Sequence, residues 1–280
     1  MVYADLHLHS TYSDGTDRPE ELIQRARGLG FSAVALTDHD TVDGVREFLQ
    51  AAEEAGIEGI PGVELSTLKG EEEFHILGYF IDPDNTELRA VIKKTSRARE
   101  KRAEEMVKKL NKMGIEIEFS RVKEIAGSTL IGRPHIARAM IEKGYVSDIK
   151  EAFTERYIGR GGPAYVERFK ITPEEAVRLI RGARGIPVLA HPGISAKTPV
   201  SVQDIVVLKK AGLLGLEVYY PEHDPETTLF YADLARKLGL LVTGGSDDHG
   251  AEGKVLMGTI KLPYRHVERM KQVVGGRVLV

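Results

Sequence analysis

The sequence of 280 residues contains no cysteine. This excludes disulfide bonds, thiolate metal sites and a thiol nucleophile, so any metal ion would have to bind to His, Asp and Glu. A strong charge of one sign is also missing, because 39 Lys and Arg residues nearly balance 42 Asp and Glu residues and leave a net charge of −3. The chain therefore lacks the basic surface that is typical of proteins that bind duplex DNA.

Long apolar segments are absent too. No run approaches the roughly 18 apolar residues of a membrane span, and Asp5 and His7 follow the N-terminus too closely for a signal peptide. We therefore expect a cytoplasmic protein that does not bind membranes. Hydrophobic residues at 42% and charged residues at 29% are typical of a globular chain, which is long enough for one domain, with or without an insertion.

The first predicted strand carries two histidines on one face. Side chains alternate between the faces of a strand, so Asp5, His7 and His9 point one way and the two leucines between them point the other way. A lone histidine in a strand would more often be a core or surface residue. A pair at the end of a strand, followed by Ser13-Asp14-Gly15, favours a metal site mounted on a rigid element.

Strands alternate with amphipathic helices over most of the chain, which predicts an α/β fold with a parallel or mostly parallel sheet. Seven strands are expected, near residues 3–10, 32–39, 57–67, 72–81, 185–191, 213–219 and 240–246. The alternation stops near Asn85, and helices are expected at 98–113 and at three places between 120 and 157. We interpret residues 97–166 as an inserted helical subdomain, placed like a lid, within a discontinuous barrel domain of residues 1–96 and 167–280.

All but one of the predicted strands deliver a possible metal ligand at or just beyond their carboxyl ends. The candidate ligands are His7, His9, Asp14, His39, Glu64, His75, His191, Asp247 and His249. These side chains would converge if the strands close into a barrel, and they would suffice for two or three ions. The sixth strand ends instead in Glu217-Val218-Tyr219-Tyr220, whose tyrosines are expected to pack. His223 and His266 are not at strand ends and are expected to be exposed.

Several motifs together resemble those of the PHP (polymerase and histidinol phosphatase) family of metal-dependent phosphoesterases. They are Asp5-Leu6-His7-Leu8-His9-Ser10, Ser13-Asp14-Gly15, Leu36-Thr37-Asp38-His39-Asp40, Pro61-Gly62-Val63-Glu64, Ala190-His191-Pro192 and Gly245-Ser246-Asp247-Asp248-His249-Gly250. The segment Ile131–Arg138 narrows the resemblance to the branch that includes 3',5'-nucleotide bisphosphate phosphatases and 5'-to-3' exoribonucleases acting on short RNA.

The resemblance implies a distorted (β/α)7 barrel with an inserted helical subdomain, and a site for two or three divalent ions. Mn, Fe or Zn would suit imidazole and carboxylate ligands, and Mn is favoured. Matched by motif, one ion would be held by His7, His9, Glu64 and Asp247. The other ions would be held with the help of Asp14, His39, His191, His75 and His249. Glu64 would bridge two of these ions. Asp38 and Asp40 could orient the ligand histidines instead of binding an ion themselves.

The chemistry suited to such a cluster is hydrolysis of a phosphate ester. Two ions would lower the pKa of a bridging water, so that the resulting hydroxide attacks phosphorus while the ions clamp the entering and leaving oxygens. Asp14 and His249 are the candidate catalytic residues for proton transfer, although a metal-bound water could protonate the leaving oxygen instead.

The inserted segment is expected to select the substrate. Arg133 and His135 lie in an otherwise apolar helical segment, and Arg160 lies in the loop Gly159–Gly162, whose N–H groups could meet a second phosphate. The alternatives are a surface ion pair for Arg133, a helix cap or core position for His135, and an ordinary turn for the loop. Lys197 is a weaker phosphate candidate.

The predicted function is removal of the 3'-phosphate of nucleoside 3',5'-bisphosphates, or 5'-to-3' trimming of short single-stranded RNA. One alternative is another phosphate monoester such as histidinol phosphate, which lacks a second anion for Arg133 and Arg160 to bind. A further alternative is a noncatalytic, metal-stabilised PHP module. It is disfavoured because every expected ligand is present and the sequence carries no polymerase segment.

Overall fold

The computed structural model describes residues 2–70, 72–127, 131–167, 169–194, 199–250 and 256–275. The strands are β1 (Tyr3–Leu8), β2 (Ala33–Leu36), β3 (Glu58–Lys69), β4 (Glu72–Tyr79), β5 (Ile186–Leu189), β6 (Gly215–Tyr219), β7 (Leu241–Gly244) and β8 (Leu262–Pro263). The helices are α1 (Pro19–Gly28), α2 (Val45–Ala55), α3 (Thr86–Lys112), α4 (Phe119–Ala126), α5 (Arg133–Glu142), α6 (Ile149–Ala152), α7 (Pro173–Gly182), α8 (Val202–Ala211), α9 (Pro225–Leu238) and α10 (Arg265–Gly275).

The chain forms two compact units. Unit 1 comprises Met1–Ala90 and Lys170–Val280, and unit 2 comprises Val91–Phe169. Among the described residues, no helix is both long enough and apolar enough to cross a membrane.

Unit 1 contains a nearly closed barrel of eight strands in the order β7-β6-β5-β4-β3-β2-β1-β8. The strands β1, β2 and β3 are parallel, as are β5, β6 and β7. The segment after β7 meets β1 through a parallel bridge between Leu8 and Asp248, where the His9 N–H donates to the Asp248 carbonyl at 3.0 Å. The predicted α/β fold, a distorted barrel of alternating strands and helices, is thus confirmed.

Strand β4 makes the sheet mostly parallel, the second of the two predicted arrangements. It is antiparallel to both β3 and β5, and Glu64 of β3 lies opposite Leu77. Only two residues separate the end of β3 at Lys69 from the start of β4 at Glu72, which is too short for the crossover that parallel strands need. The two-residue strand β8, which pairs with β1, is an additional strand that the sequence pattern did not predict.

Local sequence explains where the helices of unit 1 begin and end. At the start of α7, Thr172 Oγ1 accepts the Glu175 N–H at 3.2 Å and the Glu175 carboxylate accepts the Thr172 N–H at 2.7 Å, which is the expected capping box. Helix α1 begins with Pro19 and buries Leu22 and Ile23. Burial of such aliphatic side chains stabilises the fold by about 1.5–3 kcal/mol each.

Unit 2 has an apolar core of its own, to which α3 contributes Met106 and Leu110, and α5 contributes Ile136 and Met140. Helices α4, α5 and α6 are the three helices predicted between residues 120 and 157. Helix α3 begins at Thr86, well before the predicted start at residue 98, because Asn85 Oδ1 accepts the Leu88 N–H at 2.9 Å and so caps the first turn.

Candidate metal centre

A fully buried carboxylate, Glu64, lies among five imidazoles. Nitrogen atoms within 3.3 Å of its two oxygens belong to His7, His9, His39, His75 and His191. Its Oε2 is 3.0 Å from His39 Nδ1, whereas its Oε1 is 2.9 Å from His75 Nδ1. Each oxygen therefore faces a different set of imidazoles, an arrangement in which one carboxylate can serve two ions.

Three groups of side chains in this cluster could each hold an ion, since the ligand atoms of each group lie within 4.8 Å of one another. They consist of His7, His9, Glu64 and Asp247; of His9, Asp14, His39 and His249; and of His39, Glu64 and His75. His191 lies beside them, with its Nε2 3.3 Å from Glu64 Oε1. The structure thus brings all nine predicted ligands together, and their role as ligands stays a prediction.

The strands explain how the ligands meet. His7 and His9 leave β1 on one face, and the segment after β2 brings His39 beside Glu64 through a parallel bridge. The prediction that His75 ends its strand is wrong, because it lies in the first half of β4, opposite Ser66. Since β4 is antiparallel to its neighbours, its first half lies at the same edge as the carboxyl ends of the other strands.

Three residues at this edge adopt left-handed backbone conformations that are unfavourable for non-glycine residues. They are Asp40 with φ 48°, His191 with φ 24° and Asp247 with φ 53°. Each such conformation costs about 1–3 kcal/mol and persists only where the surroundings enforce it. The Asp40 N–H donates to the Glu64 carbonyl at 2.9 Å, and the His191 N–H donates to Glu217 Oε2 at 2.9 Å.

The charges within the cluster oppose one another. Burial alone would raise the pKa of Glu64, but His39, His75 and His7 hold it well below its usual range. Burial, together with the imidazoles of His249 and His39, lowers the pKa of His9 to about 3. Burial also disfavours protonation of His75, yet Glu64 raises the pKa of that imidazole to about 10. Without a metal ion, two imidazoles that both contact Glu64 would therefore carry different charges at neutral pH.

Many polar atoms of the cluster are buried without a hydrogen-bond partner. They are His7 Nε2, both ring nitrogens of His9, His39 Nδ1, His75 Nδ1, Glu64 Oε2 and Asp247 Oδ1. An unsatisfied buried group costs about 1–3 kcal/mol, so this concentration is unfavourable unless a ligand satisfies them. Imidazole nitrogens and carboxylate oxygens without thiolates suit Mn, Fe or Zn. The residues present therefore fit a cluster of divalent ions.

Comparison with known proteins identifies the family. The sequence model of one protein family, the PHP domain, matches residues 5–156 of this chain. The chain belongs to the PHP domain family. A 5'-3' exoribonuclease of Haemophilus influenzae is 36% identical over 91% of this chain and 92% of its own length. A 3',5'-nucleoside bisphosphate phosphatase of Chromobacterium violaceum is 35% identical over 94% of this chain and 93% of its own length.

Two further similarities widen the range of chemistry. A phosphoribosyl 1,2-cyclic phosphate 1,2-diphosphodiesterase of Eggerthella lenta is 30% identical over 90% of this chain and 95% of its own length. The crystal structure of a protein from Bifidobacterium adolescentis, described as a metal-dependent phosphoesterase, has a TM-score of 0.82 at 30% identity and covers 95% of this chain and 94% of its own. This PHP protein is therefore a phosphoesterase, a hydrolytic enzyme, and not a noncatalytic module.

Two residues that contact the candidate metal ligands were not assigned a functional role by the sequence analysis. Glu217 of β6 is fully buried, with Oε1 2.9 Å from His7 Nδ1. The Tyr220 hydroxyl donates to Asp247 Oδ2 at 2.9 Å. An acidic residue within the otherwise apolar β6 was the available signal for Glu217, whereas nothing in the sequence distinguished Tyr220 from a packing tyrosine.

The hydrogen bonds of Asp38 go to residues other than the histidines, and the role of Asp40 in orienting a histidine stays a prediction. Asp38 accepts hydrogen bonds from the hydroxyls of Ser10 and Ser13, at 2.7 and 2.6 Å. Asp40 accepts the Ser66 N–H at 2.9 Å. Asp38 therefore fixes the turn that leads to Asp14, and the carboxylate in contact with the His7 imidazole Nδ1 is Glu217.

The two candidate catalytic residues, Asp14 and His249, are neighbours. Asp14 Oδ1 lies 3.3 Å from His249 Nε2, and about half of the Asp14 side chain is exposed. Burial alone would lower the pKa of His249, but Asp14 raises it to about 9. The Nδ1 of His249 lies 2.8 Å from the Asp247 carbonyl, to which it can donate, leaving its Nε2 directed toward Asp14. Their part in proton transfer stays a prediction.

The predicted substrate residues lie in unit 2. The Arg133 guanidinium lies 4.7 Å from the centre of the Phe153 ring and 5.9 Å from that of Tyr165. It forms no ion pair with a described residue, so the surface ion pair considered for it does not occur there. His135 Nδ1 accepts the Gly132 N–H at 3.0 Å, which caps helix α5.

The glycine-rich loop uses two of its N–H groups internally. Gly159 donates to the Thr154 carbonyl at 2.9 Å, and Gly162 donates to the Gly159 carbonyl at 3.0 Å. The expectation that the loop exposes its N–H groups is therefore wrong for these two. Arg160 is exposed. Lys197 lies outside the described residues.

The expected exposure of His223 and His266 is wrong, since their exposed fractions are 8% and 6%. His223 Nε2 accepts the Gly193 N–H at 3.1 Å, and its Nδ1 lies 2.9 Å from the Val218 carbonyl, to which it donates. This imidazole thus anchors the turn after His191. His266 packs against Tyr219, with ring centres 6.2 Å apart.

Proposed function

We propose that this PHP phosphoesterase removes the 3'-phosphate of nucleoside 3',5'-bisphosphates or trims short single-stranded RNA from its 5' end. The single observation that carries the proposal is the Arg133 guanidinium in unit 2, which lies near the Phe153 and Tyr165 rings and forms no ion pair with a described residue. A substrate with a second phosphate supplies the anion that this cation lacks. The names of the relatives, an exoribonuclease and a bisphosphate phosphatase, support the same substrate class.

A second arginine strengthens the case for an anion site. The Arg102 guanidinium lies 5.3 Å from the centre of the Tyr165 ring, which Arg133 also faces, and its Nε donates to the Val166 carbonyl at 2.6 Å. Burial and the charge of Arg133 lower the pKa of Arg102. Two guanidinium groups that repel each other are stabilised by an anion that accepts from both, and phosphate oxygens suit this geometry.

We assign the ligands of two or three ions, with Mn favoured, to the nine residues of the cluster. Divalent ions held there would polarise phosphoryl oxygens and activate water for hydrolysis at neutral pH. Glu64 would contribute one oxygen to each of two groups. Asp14 and His249 are suited to carry protons, because Asp14 is partly exposed and hydrogen-bonding distances connect it to His249. Residues 97–166, with Arg133, His135 and Arg160, would bind the rest of the substrate.

The test measures phosphate release from adenosine 3',5'-bisphosphate by the Mn-loaded protein. 3'-AMP, 5'-AMP, histidinol phosphate and a short 5'-phosphorylated RNA are tested in parallel. We expect the bisphosphate to be cleaved preferentially, or the RNA to be shortened stepwise. Activity confined to histidinol phosphate would refute the proposal in favour of a monoester without a second anion.

The anion site is tested with Arg133→Ala. Charge-assisted hydrogen bonds contribute about 1.5–3 kcal/mol, so kcat/KM for the bisphosphate should fall roughly 10- to 150-fold, with little change for 4-nitrophenyl phosphate. Arg138→Ala is the matched control, because Arg138 is exposed on the same helix. An equal loss with both substrates would give Arg133 a structural role. A steeper salt dependence for RNA than for the nucleotide would favour the oligonucleotide, since more counterions are released.

A further inference from the structure

Strand β6 supplies none of the predicted metal ligands, yet two side chains at its end contact ligands of one ion group. Glu217 contacts His7, and Tyr220, which follows the strand, contacts Asp247. We propose that these two are positioning residues for the ion group of His7, His9, Glu64 and Asp247. Glu217 sets which nitrogen of His7 is free to bind an ion, and Tyr220 sets which oxygen of Asp247 is free.

The contact between Glu217 and His7 determines the state of the imidazole. Glu217 is fully buried, and its Oε1 lies 2.9 Å from His7 Nδ1. A carboxylate only accepts hydrogen bonds, so Nδ1 carries the proton and Nε2 keeps its lone pair in the neutral ring. That Nε2 lies 3.3 Å from both Glu64 Oε2 and Asp247 Oδ1. The lone pair therefore faces the other ligands of the group.

The same carboxylate connects a second ligand-bearing segment. Glu217 Oε2 accepts the backbone N–H of His191 at 2.9 Å, where the backbone is left-handed. Both oxygens of Glu217 thus accept from residues of the cluster, and neither is available to an ion without losing one of these bonds. Its position is that of a residue that orients ligands.

Tyr220 assigns the two oxygens of Asp247 in a similar way. Its hydroxyl donates to Oδ2 at 2.9 Å, and its ring lies 5.2 Å from that of His191. The other oxygen, Oδ1, lies 3.0 Å from His9 Nε2 and has no hydrogen-bond partner. One oxygen of Asp247 is therefore held by the hydroxyl, while the other is left for an ion.

The contacts of β6 are selective. Neither Glu217 nor Tyr220 forms a hydrogen bond with Asp14, His39 or His249 in the part of the chain that the structure describes. Loss of either positioning residue should therefore weaken the binding of one ion. The binding of an ion held by the group of His9, Asp14, His39 and His249 should be affected less. This inference rests on the metal centre of the proposed function, but its test measures ion binding and not turnover.

The experiment measures binding of Mn²⁺ to the metal-free full chain by titration calorimetry, for the wild type, Glu217→Gln and Tyr220→Phe. Glutamine presents an amide N–H₂ to one of the two donors that Glu217 accepts from, and so disfavours the tautomer described above. Removal of such a partner typically costs 10- to 100-fold in metal affinity. We expect a loss of about this size for one ion in Glu217→Gln and a smaller loss for the same ion in Tyr220→Phe.

A spectroscopic measurement separates positioning from general destabilisation. The ring ¹⁵N shifts of the Zn-loaded, ¹⁵N-His protein should show a protonated Nδ1 for His7 in the wild type, and this signal should change in Glu217→Gln. Matched controls are Glu58→Gln and Tyr264→Phe, which remove a tyrosine–carboxylate hydrogen bond of 2.5 Å at the start of β3. These controls should leave Mn²⁺ binding and the His7 shifts unchanged.

Three outcomes would overturn the proposal. The first is binding of every ion with wild-type affinity by both variants. The second is an equal loss for all ions, and the third is a similar loss in the controls. If Glu217→Gln does not fold, Tyr220→Phe decides alone, because Tyr220 is only partly buried. A wild-type chain that binds no Mn²⁺ would refute the metal centre itself, whereas wild-type binding with unaffected variants would refute only the role of β6.

Discussion

Replacement of Glu64 by Gln should remove more than one ion from the protein. Glu64 belongs to two of the three ion groups, with one oxygen among His7, His9 and His39 and the other beside His75. The substitution keeps the shape of the side chain but removes its charge. A single charge pair about 4 Å apart is worth about 4 kcal/mol at an effective dielectric constant of about 20, which is roughly 1,000-fold in affinity for each ion.

The assay is the Mn content of the purified protein by mass spectrometry after gel filtration, together with phosphate release. Asp14→Asn is the comparison, because Asp14 belongs to only one group and should cost a single ion. Glu58→Gln, which changes a carboxylate at the start of β3, should retain all ions. If Glu64→Gln loses no more metal than Asp14→Asn, Glu64 does not serve two ions and the reasoning from its two oxygens is wrong.

Four further perturbations follow from the structure. His9→Ala should abolish phosphate release with an unchanged circular dichroism spectrum, because His9 belongs to two ion groups; wild-type activity would contradict the cluster. Chelation should lower the Tm and Mn²⁺ should restore it, since buried polar atoms of the cluster lack other partners; an unchanged Tm would argue against bound ions. Ile136→Ala should lower the free energy of unfolding by about 2–5 kcal/mol in urea titrations, because Ile136 is fully buried in unit 2; a loss below 1 kcal/mol would show that the core tolerates the cavity. Gly159→Ala should destabilise the fold in the same assay, because a Cβ there would lie 2.2 Å from the Phe153 carbonyl oxygen, whereas Gly28→Ala has open space; equal effects would contradict this.

The alternation of strands and helices was predictable from the sequence because hydrophobic periodicity is local. The direction of β4 was a matter of connection length, and the two residues between β3 and β4 held that information. The strand β8 was not predictable, because a pair of residues has no periodicity and forms a strand only through pairing with β1. The early start of α3 was missed although the segment from Thr86 holds Leu88, Val91 and Ile92, because Asn85 was read only as the end of the strand–helix alternation and not as a helix cap.

The candidate site shows the same division. Side chains at strand ends, such as His39 and His191, were predictable because the fold brings strand ends together. Glu217 was not assigned a role, because its partners His7 and His191 are distant in sequence and only the closed barrel brings them to its two oxygens. His223 was misjudged for a similar reason, since its Nε2 accepts the N–H of Gly193, which lies 30 residues earlier in the segment after β5.

The closure of the barrel between Leu8 and Asp248 has a consequence for the synthesis of the protein. The first candidate ion group contains His7 and His9, which are made early, and Asp247, which follows the seventh strand. A nascent chain can form the local hairpin of β3 and β4 long before that point, but such long-range pairing is the slow part of folding. The ion set would therefore be completed only after nearly the whole barrel has been synthesised, so that a truncated chain would fold in part without becoming a phosphoesterase.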